Sequence, residues 1–330
     1  MNIGDDQGFH TVKAMADGGR QTVFPSFAAR PSDSLFSMNG HQAAIITSTR
    51  TGCLQVGESA VKMARAGARL ETASWVSMPE YLAMFYRALS DLTPARGVSV
   101  NLVTGLPLAD YARDKDKLRS LLLGTHTFTR QELGHQQTIT VDSLRVVPQA
   151  WGAVLALLLD SRGAIVQPEL MQEKVAALDI GGHTVNYLSV DGLSDIPAET
   201  RGTDRGAWNV VRAVRDYLDT AHPGLSRMND HAIMQAVAAG EVWDQGERID
   251  LDPITRPVLD DIGQEIVSTA AQYWGDGAST FRRVLVIGGG AYLWGEHVKR
   301  AFRQAVIFDR PELVNALGFY RFAVYLAREG

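Results

Sequence analysis

The sequence predicts an α/β protein built from two similar domains, and three observations carry that expectation. Asp6-Gln7-Gly8-Phe9-His10-Thr11-Val12-Lys13 and Asp179-Ile180-Gly181-Gly182-His183-Thr184 each place a carboxylate at the end of an apolar run, then glycine, a hydrogen-bonding turn and a second strand-like run. Val284-Leu285-Val286-Ile287-Gly288-Gly289-Gly290 reads as a buried strand ending in three glycines. At 330 residues, with 45% hydrophobic and 21% charged, the chain has the length for two domains of ordinary size and a soluble globular profile.

In chain order, the first hairpin has its second strand at Thr11 to Met15. Residues from about Thr22 to Trp75 are rich in Ser, Gly, Pro and short alternating runs, which predicts a small strand-rich insertion. From Pro79 to Leu92 the apolar Leu82, Phe85, Tyr86 and Leu89 fall at helical spacing. Val98 to Thr104 reads as a buried strand, broken by Gly105-Leu106-Pro107. Gln149 is expected to open the next helix, whose apolar face runs through Ala153, Leu155 and Leu158 until Asp160-Ser161-Arg162-Gly163 ends it. The second hairpin then repeats the first, with Thr184 to Val190 as its second strand. From about Asp204 to Thr269 the pattern is largely helical, as in Val210, Val211, Val214, Tyr217 and Leu218, with a break at Pro223-Gly224.

The chemistry of these turns is that of an anion and its cation. Glycine lets the main chain turn sharply and bring N–H groups close to an anion, while the carboxylate serves a metal ion. Asp6 and Asp179 suit magnesium, which prefers oxygen ligands and keeps several waters, so the carboxylates are expected to act through its hydration shell. Lys13, five residues beyond Gly8, reaches back towards a phosphate as a point charge. Asp5 precedes Asp6; the spacing to Gly8 and Lys13 favours Asp6, and with Asp5 as ligand the register would slip by one and turn Asp6 to the opposite face.

The order of an early Asp-x-Gly, a middle Asp-x-Gly-Gly and a late strand ending in Gly-Gly-Gly resembles that of the actin and sugar-kinase ATPases. The chain is most similar to prokaryotic actins of the ParM plasmid-segregation type and their archaeal relatives. Val147-Pro148-Gln149-Ala150 and Pro311-Glu312-Leu313-Val314-Asn315-Ala316-Leu317-Gly318-Phe319-Tyr320 agree with that subgroup. The resemblance implies an actin-like, ribonuclease H-like ATPase fold of two similar domains around a nucleotide cleft. It puts residues 1–148 with 318–330 in the first domain and 149–317 in the second.

It further implies that the hairpins, through Gly8, Phe9, His10, Thr11 and Lys13 and through Gly181, Gly182, His183 and Thr184, bind the β- and γ-phosphates of ATP or GTP. Gly288, Gly289, Gly290 and Tyr292 would pack on the nucleoside, with Arg212 and Arg215 as candidates near the base. Gln149, at the start of the connector, would position the attacking water, making Gln149, Asp6 and Asp179 the catalytic set. Family members assemble into filaments, so the chain would polymerise head to tail, with contacts sought in Pro311 to Tyr320 and in the insertion before Trp75. An adaptor would link such a filament to DNA or other cargo. Where relatives often carry an acidic residue after the second turn, this chain has Asn186.

Other readings of the same residues are weaker. A phosphotransferase of this superfamily needs a carboxylate base for its acceptor hydroxyl, whereas the connector offers glutamine. Val284 to Gly290 followed by Asp309 imitates a dinucleotide-binding unit, but the third glycine position is Leu293. A zinc site from His10, His183, Asp6 and Asp179 has no helix-spaced ligand pair behind it. The single cysteine, Cys53, excludes an internal disulfide and reads as a buried or incidental thiol. A net charge of -5 argues against direct nucleic-acid binding. The longest apolar stretch, Trp151 to Leu159, is too short to span a bilayer, and the N-terminus has no signal-like segment, so a cytoplasmic protein is expected.

Overall fold

The computed structural model describes residues 1–31, 44–63, 75–93 and 95–329, which form two compact units. Of these described residues, those within 1–63, 75–172 and 313–329 belong to the first unit and 173–312 to the second. These divisions differ from the expected ones at 148 and 317, because the connector helix and the start of the last helix pack together inside the first unit.

In the first unit the chain runs β1 (Asn2–Gln7), β2 (Thr11–Ala16), β3 (Arg20–Pro25), β4 (Ala28–Ala29), β5 (Ala44–Ser48), β6 (Gly52–Val56), α1 (Glu58–Met63), α2 (Pro79–Leu92), β7 (Gly97–Leu106), α3 (Leu108–Leu122), β8 (Gly124–Arg130), β9 (His135–Pro148) and α4 (Trp151–Leu158). Among the described residues the strands join one sheet in the order β3-β2-β1-β7-β9-β8-β5-β6-β4. The insertion's strands β4, β5 and β6 thus extend the main sheet through the β5–β8 pairing; its residues 32–43 and 64–74 lie outside the described residues. β1 is buried because it is paired on both sides, antiparallel to β2 and parallel to β7. Helix α2 presents Leu82, Phe85, Tyr86 and Leu89 to the core as its spacing predicts. Cys53, on β6, is exposed rather than buried.

In the second unit follow β10 (Lys174–Ile180), β11 (Val185–Asp191), β12 (Ser194–Asp195), β13 (Arg201–Thr203), α5 (Trp208–Ala221), α6 (Asp230–Ala239), β14 (Glu241–Asp244), β15 (Glu247–Asp250), α7 (Asp252–Trp274), β16 (Arg283–Ile287), α8 (Ala291–Ala301) and β17 (Ala305–Ile307). Their main sheet has the order β12-β11-β10-β16-β17, with β13 on β11. Ala176, Leu178 and Ile180 pack with Ile262, Ile266 and Trp274 of α7 and Trp294 and Val298 of α8. The stretch expected to be largely helical also contains the hairpin β14–β15, whose Gln245 and Gly246 both have positive φ, the signature of a two-residue hairpin turn. Its Val242 joins α5 and α6 in a separate small core with Trp208, Val211, Val214 and Leu218.

The chain closes in the first unit with α9 (Val314–Glu329). This helix lies against β1, β7 and α4, and at its closest approach to α4 a Cβ on Gly318 would collide with the Gly152 backbone. Leu313, Val314, Ala316 and Phe319 are buried there, so most of the segment expected to offer filament contacts is core. Among the described residues no helix is long and apolar enough to cross a membrane.

Candidate functional site

The first hairpin sets Asp6 opposite Lys13 in register. Because side chains alternate along a strand, Asp5 and Asp6 face opposite ways, and it is Asp6 that meets the other predicted residues. Lys13 Nζ lies 3.4 Å from Asp6 Oδ2, and Gln149 Nε2 donates to Asp6 Oδ1 at 2.8 Å. Both carboxylate oxygens are therefore engaged, and Asp6 and Gln149 are buried. Asp5 is buried on the other side with Gln7 Nε2 donating to its Oδ2 at 3.2 Å, and burial pushes its carboxyl up to about 7.

Gln149 does not open the helix as expected. Its N–H donates to Leu106 O at 2.7 Å, carrying on the β7–β9 pairing, and Ala150 takes a left-handed φ of 72° before α4 begins at Trp151. Asn315 Oδ1 of α9 accepts the Ala150 N–H at 3.3 Å. The glutamine is thus placed by a strand end and a long-range cap, neither of which helical periodicity reveals.

Between these strands the turn residues Gly8, Phe9, His10 and Thr11 are half-buried. Ser26 steadies the turn: its hydroxyl donates to Gly8 O, and its N–H donates to His10 O at 2.9 Å. A Cβ at Gly8 would stand 3.0 Å from Thr11 O and 3.1 Å from Lys13 Nζ, so the glycine keeps the lysine close. The Phe9 ring packs on Trp75 with centroids 5.5 Å apart, and Trp75 meets Tyr81 edge-on at 5.4 Å. Sequence reasoning missed this aromatic chain, since Trp75 and Tyr81 lie far from the turn in sequence.

The second hairpin is tied by several backbone contacts. Asp179 sits opposite Asn186, and the Gly181 N–H donates to Thr184 O at 2.8 Å. The Trp208 N–H, at the start of α5, donates to Gly182 O at 2.8 Å, while a Cβ on Gly206 would fall 2.6 Å from that oxygen. Gly181, Gly182 and His183 are half-buried; Thr184 and Asp179 are buried.

The three glycines pack against the end of this hairpin. Gly288 has φ 85°, a conformation that L side chains rarely adopt, and a Cβ there would lie 2.6 Å from Asp179 Oδ1. The Gly290 N–H donates to Ile180 O at 2.8 Å, with no room for a side chain beside Ile180. Gly289 faces open space and is exposed. Tyr292, also exposed, donates its hydroxyl to Glu312 Oε2 at 2.7 Å. Of the two arginines considered near the base, Arg215 binds Asp230 and Met228 O and so ties α5 to α6, whereas Arg212 is exposed.

Among the described residues no three His, Cys, Asp or Glu side chains group to hold a metal, which leaves the zinc reading without a ligand set. The donors do fit a magnesium ion bound through its waters, because Asp6, with both oxygens engaged, offers charge and hydrogen-bond acceptance rather than a bare ligand atom. The βαβ unit imitating a dinucleotide site does form, as β16, α8 and β17. Leu293 packs on the core and β17 is an edge strand, so no sheet continues beyond it.

Comparison with known proteins places both halves. Residues 4–152 match the family model of the N-terminal domain of actin-like proteins, and residues 177–300 that of the C-terminal domain of the archaeal MreB-like actin homologue. Among solved structures, a ParM protein (pCBH ParM, as a non-polymerisable quadruple mutant) is 20% identical with a TM-score of 0.77, over 97% of this chain and 98% of that one. The 15-stranded ParM filament from Clostridium botulinum is 19% identical, TM-score 0.78, over 98% of both chains. The archaeal actin homologue Ta0583 in complex with ADP is 17% identical, TM-score 0.76, over 100% of this chain and 99% of its own. No curated protein matches. The fold is that of actin.

Proposed function

The chain belongs to the actin-like proteins, and we propose that within them it is a filament-forming nucleotide hydrolase that turns over ATP or GTP with magnesium and polymerises head to tail. The observation that carries this reading is the set of buried Asp6 and Gln149 with half-buried Lys13 at the base of a glycine turn. Support for the nucleotide comes from the relative solved with ADP, and support for self-assembly from the relative solved as a filament.

In this reading Asp6 and Asp179 would serve a magnesium ion through its water shell, and that ion would supply positive charge to offset the phosphates. The half-buried turns, Gly8 to Thr11 and Gly181 to Thr184, aim N–H groups at the phosphates, and Lys13 adds a positive charge. Gln149 gives its amide N–H to Asp6 and so directs its amide oxygen at the attacking water. A neutral amide orients that water without taking its proton strongly, so hydrolysis is slow and times the life of the polymer. The nucleoside lies on Gly289 beside Tyr292. A cytoskeletal role in plasmid segregation or a related task in a bacterial or archaeal cytoplasm then calls for an adaptor to cargo.

Light scattering on adding Mg-ATP or Mg-GTP, with phosphate release followed in parallel, tests the proposal. A rise with a threshold protein concentration, accompanied by phosphate release, supports it. Nucleotide turnover that depends on a small-molecule acceptor, with no scattering at any concentration, points to a phosphotransferase and overturns it.

A further inference from the structure

Behind the first acidic turn lies a group of polar atoms that the proposed chemistry does not use. Asp5 Oδ1, Gln7 Oε1, Tyr81 Oη and Thr104 Oγ1 are all buried, and none has a hydrogen-bond partner among the described residues. They come from three elements that meet at one place. Asp5 and Gln7 share one face of β1, and Gln7 Nε2 donates to Asp5 Oδ2 at 3.2 Å. Thr104 of β7 is the parallel-strand partner of Asp5. Tyr81 comes down from α2, and Asp5 and Thr104 both act on its phenol. The phenol and the threonine hydroxyl are close enough to act on each other, without the geometry of a direct hydrogen bond.

The inventory of these four atoms is complementary to a single molecule. Two are hydroxyls that can donate; burial and the nearby carboxyls push the Tyr81 phenol far up, which keeps its proton in place. The other two, a carboxyl oxygen and an amide oxygen, accept. A water has two protons to give and two lone pairs to receive, and buried waters typically occupy sites with two to four such partners.

We propose that Asp5, Gln7, Tyr81 and Thr104 enclose one structural water, which accepts from the Tyr81 and Thr104 hydroxyls, donates to Asp5 Oδ1 and Gln7 Oε1, and ties β1 to β7 and α2 directly behind Asp6. The site stands without the nucleotide reading, because it requires only atoms of the first unit.

A crystal structure of the full chain at a resolution that resolves ordered water tests it. The expected result is a density peak about 2.6–3.2 Å from at least three of the four oxygens. The peak should persist in Thr104→Ser and vanish in Thr104→Val and Tyr81→Phe. Three results overturn the proposal: direct pairing of the four oxygens with one another, no density among them, or an anomalous signal from a cation at shorter distances. Neither a change nor a lack of change in nucleotide turnover bears on the outcome.

Discussion

The two acidic turns begin from one pattern and are built by different physics. In the first, Asp6 is opposite Lys13, and its two oxygens are taken by that lysine and by Gln149. In the second, Asp179 is opposite the neutral Asn186, and the turn is closely packed, with Gly288 against Asp179 and Ile180, Gly290 against Ile180 and Gly206 against Gly181 and Gly182, each standing where a side chain would collide. One residue earlier the contrast repeats: Asp5 precedes Asp6, whereas Leu178, fully buried in an apolar cluster, precedes Asp179. The first turn shows close charged contacts, and the second shows close backbone approaches. Substitutions that add volume should therefore be felt most strongly at the second turn.

The largest effect expected from this contrast is on pH dependence. Asp5 has a folded-state pKa of about 7 against 3.8 in the open chain. An acid raised in this way contributes stability that is fully present below 3.8 and is lost as pH rises through about 7. The loss is at most roughly 4 kcal/mol at 1.36 kcal/mol per pKa unit. Asp5→Asn should flatten the decline in urea-unfolding free energy between about pH 4 and pH 7, the window set by that shift, while Leu178→Ala should leave the pH profile unaltered in shape. Equal slopes for wild type and Asp5→Asn would break the comparison.

Next in size is Gly288→Ala. The left-handed backbone and the collision with Asp179 and Ile180 together predict a loss of about 2–4 kcal/mol, read by chemical denaturation, with nucleotide affinity reduced alongside. Gly289→Ala, in open space, should be nearly neutral for stability; a loss as large as that at Gly288 contradicts the steric account.

Gln149→Ala should slow phosphate release by roughly 10- to 100-fold while leaving nucleotide affinity within about threefold. Unchanged turnover removes Gln149 from its role. Smallest is Lys13→Met, expected to weaken Mg-nucleotide binding by roughly three- to tenfold, with a salt dependence that wild type shares only in part. Binding insensitive to both the substitution and the salt would show that the charge at the first turn is not directed at a ligand.

The alternating and helical periods of this sequence reveal those elements whose burial is local. Helix α2 and strand β7 fall where their apolar spacing puts them, and the strand before the three glycines ends as its composition predicts. What long-range packing decides was not legible. Nothing near residue 150 announces that Asn315 caps the chain there, or that Gly152 and Gly318 let α4 lie on α9, and these contacts put both the connector and Gln149 in the first unit. The hairpin β14–β15 left one local trace, the Gln245-Gly246 turn between two short runs, but the helical stretches on either side dominate the pattern. The roles of Asp5 and Tyr81 depend on which face of β1 meets α2, which a strand's sequence leaves open when both faces are buried.

The central claim is that Asp6 and Asp179 serve one magnesium-bound nucleotide. Isothermal titration of Mg-nucleotide into wild type, Asp6→Asn, Asp179→Asn and the double variant measures it directly as a thermodynamic cycle. Carboxylates sharing a single hydrated ion predict losses that do not add, with a coupling of about 1 kcal/mol or more. Strictly additive losses, or binding that ignores magnesium in all four proteins, would contradict it.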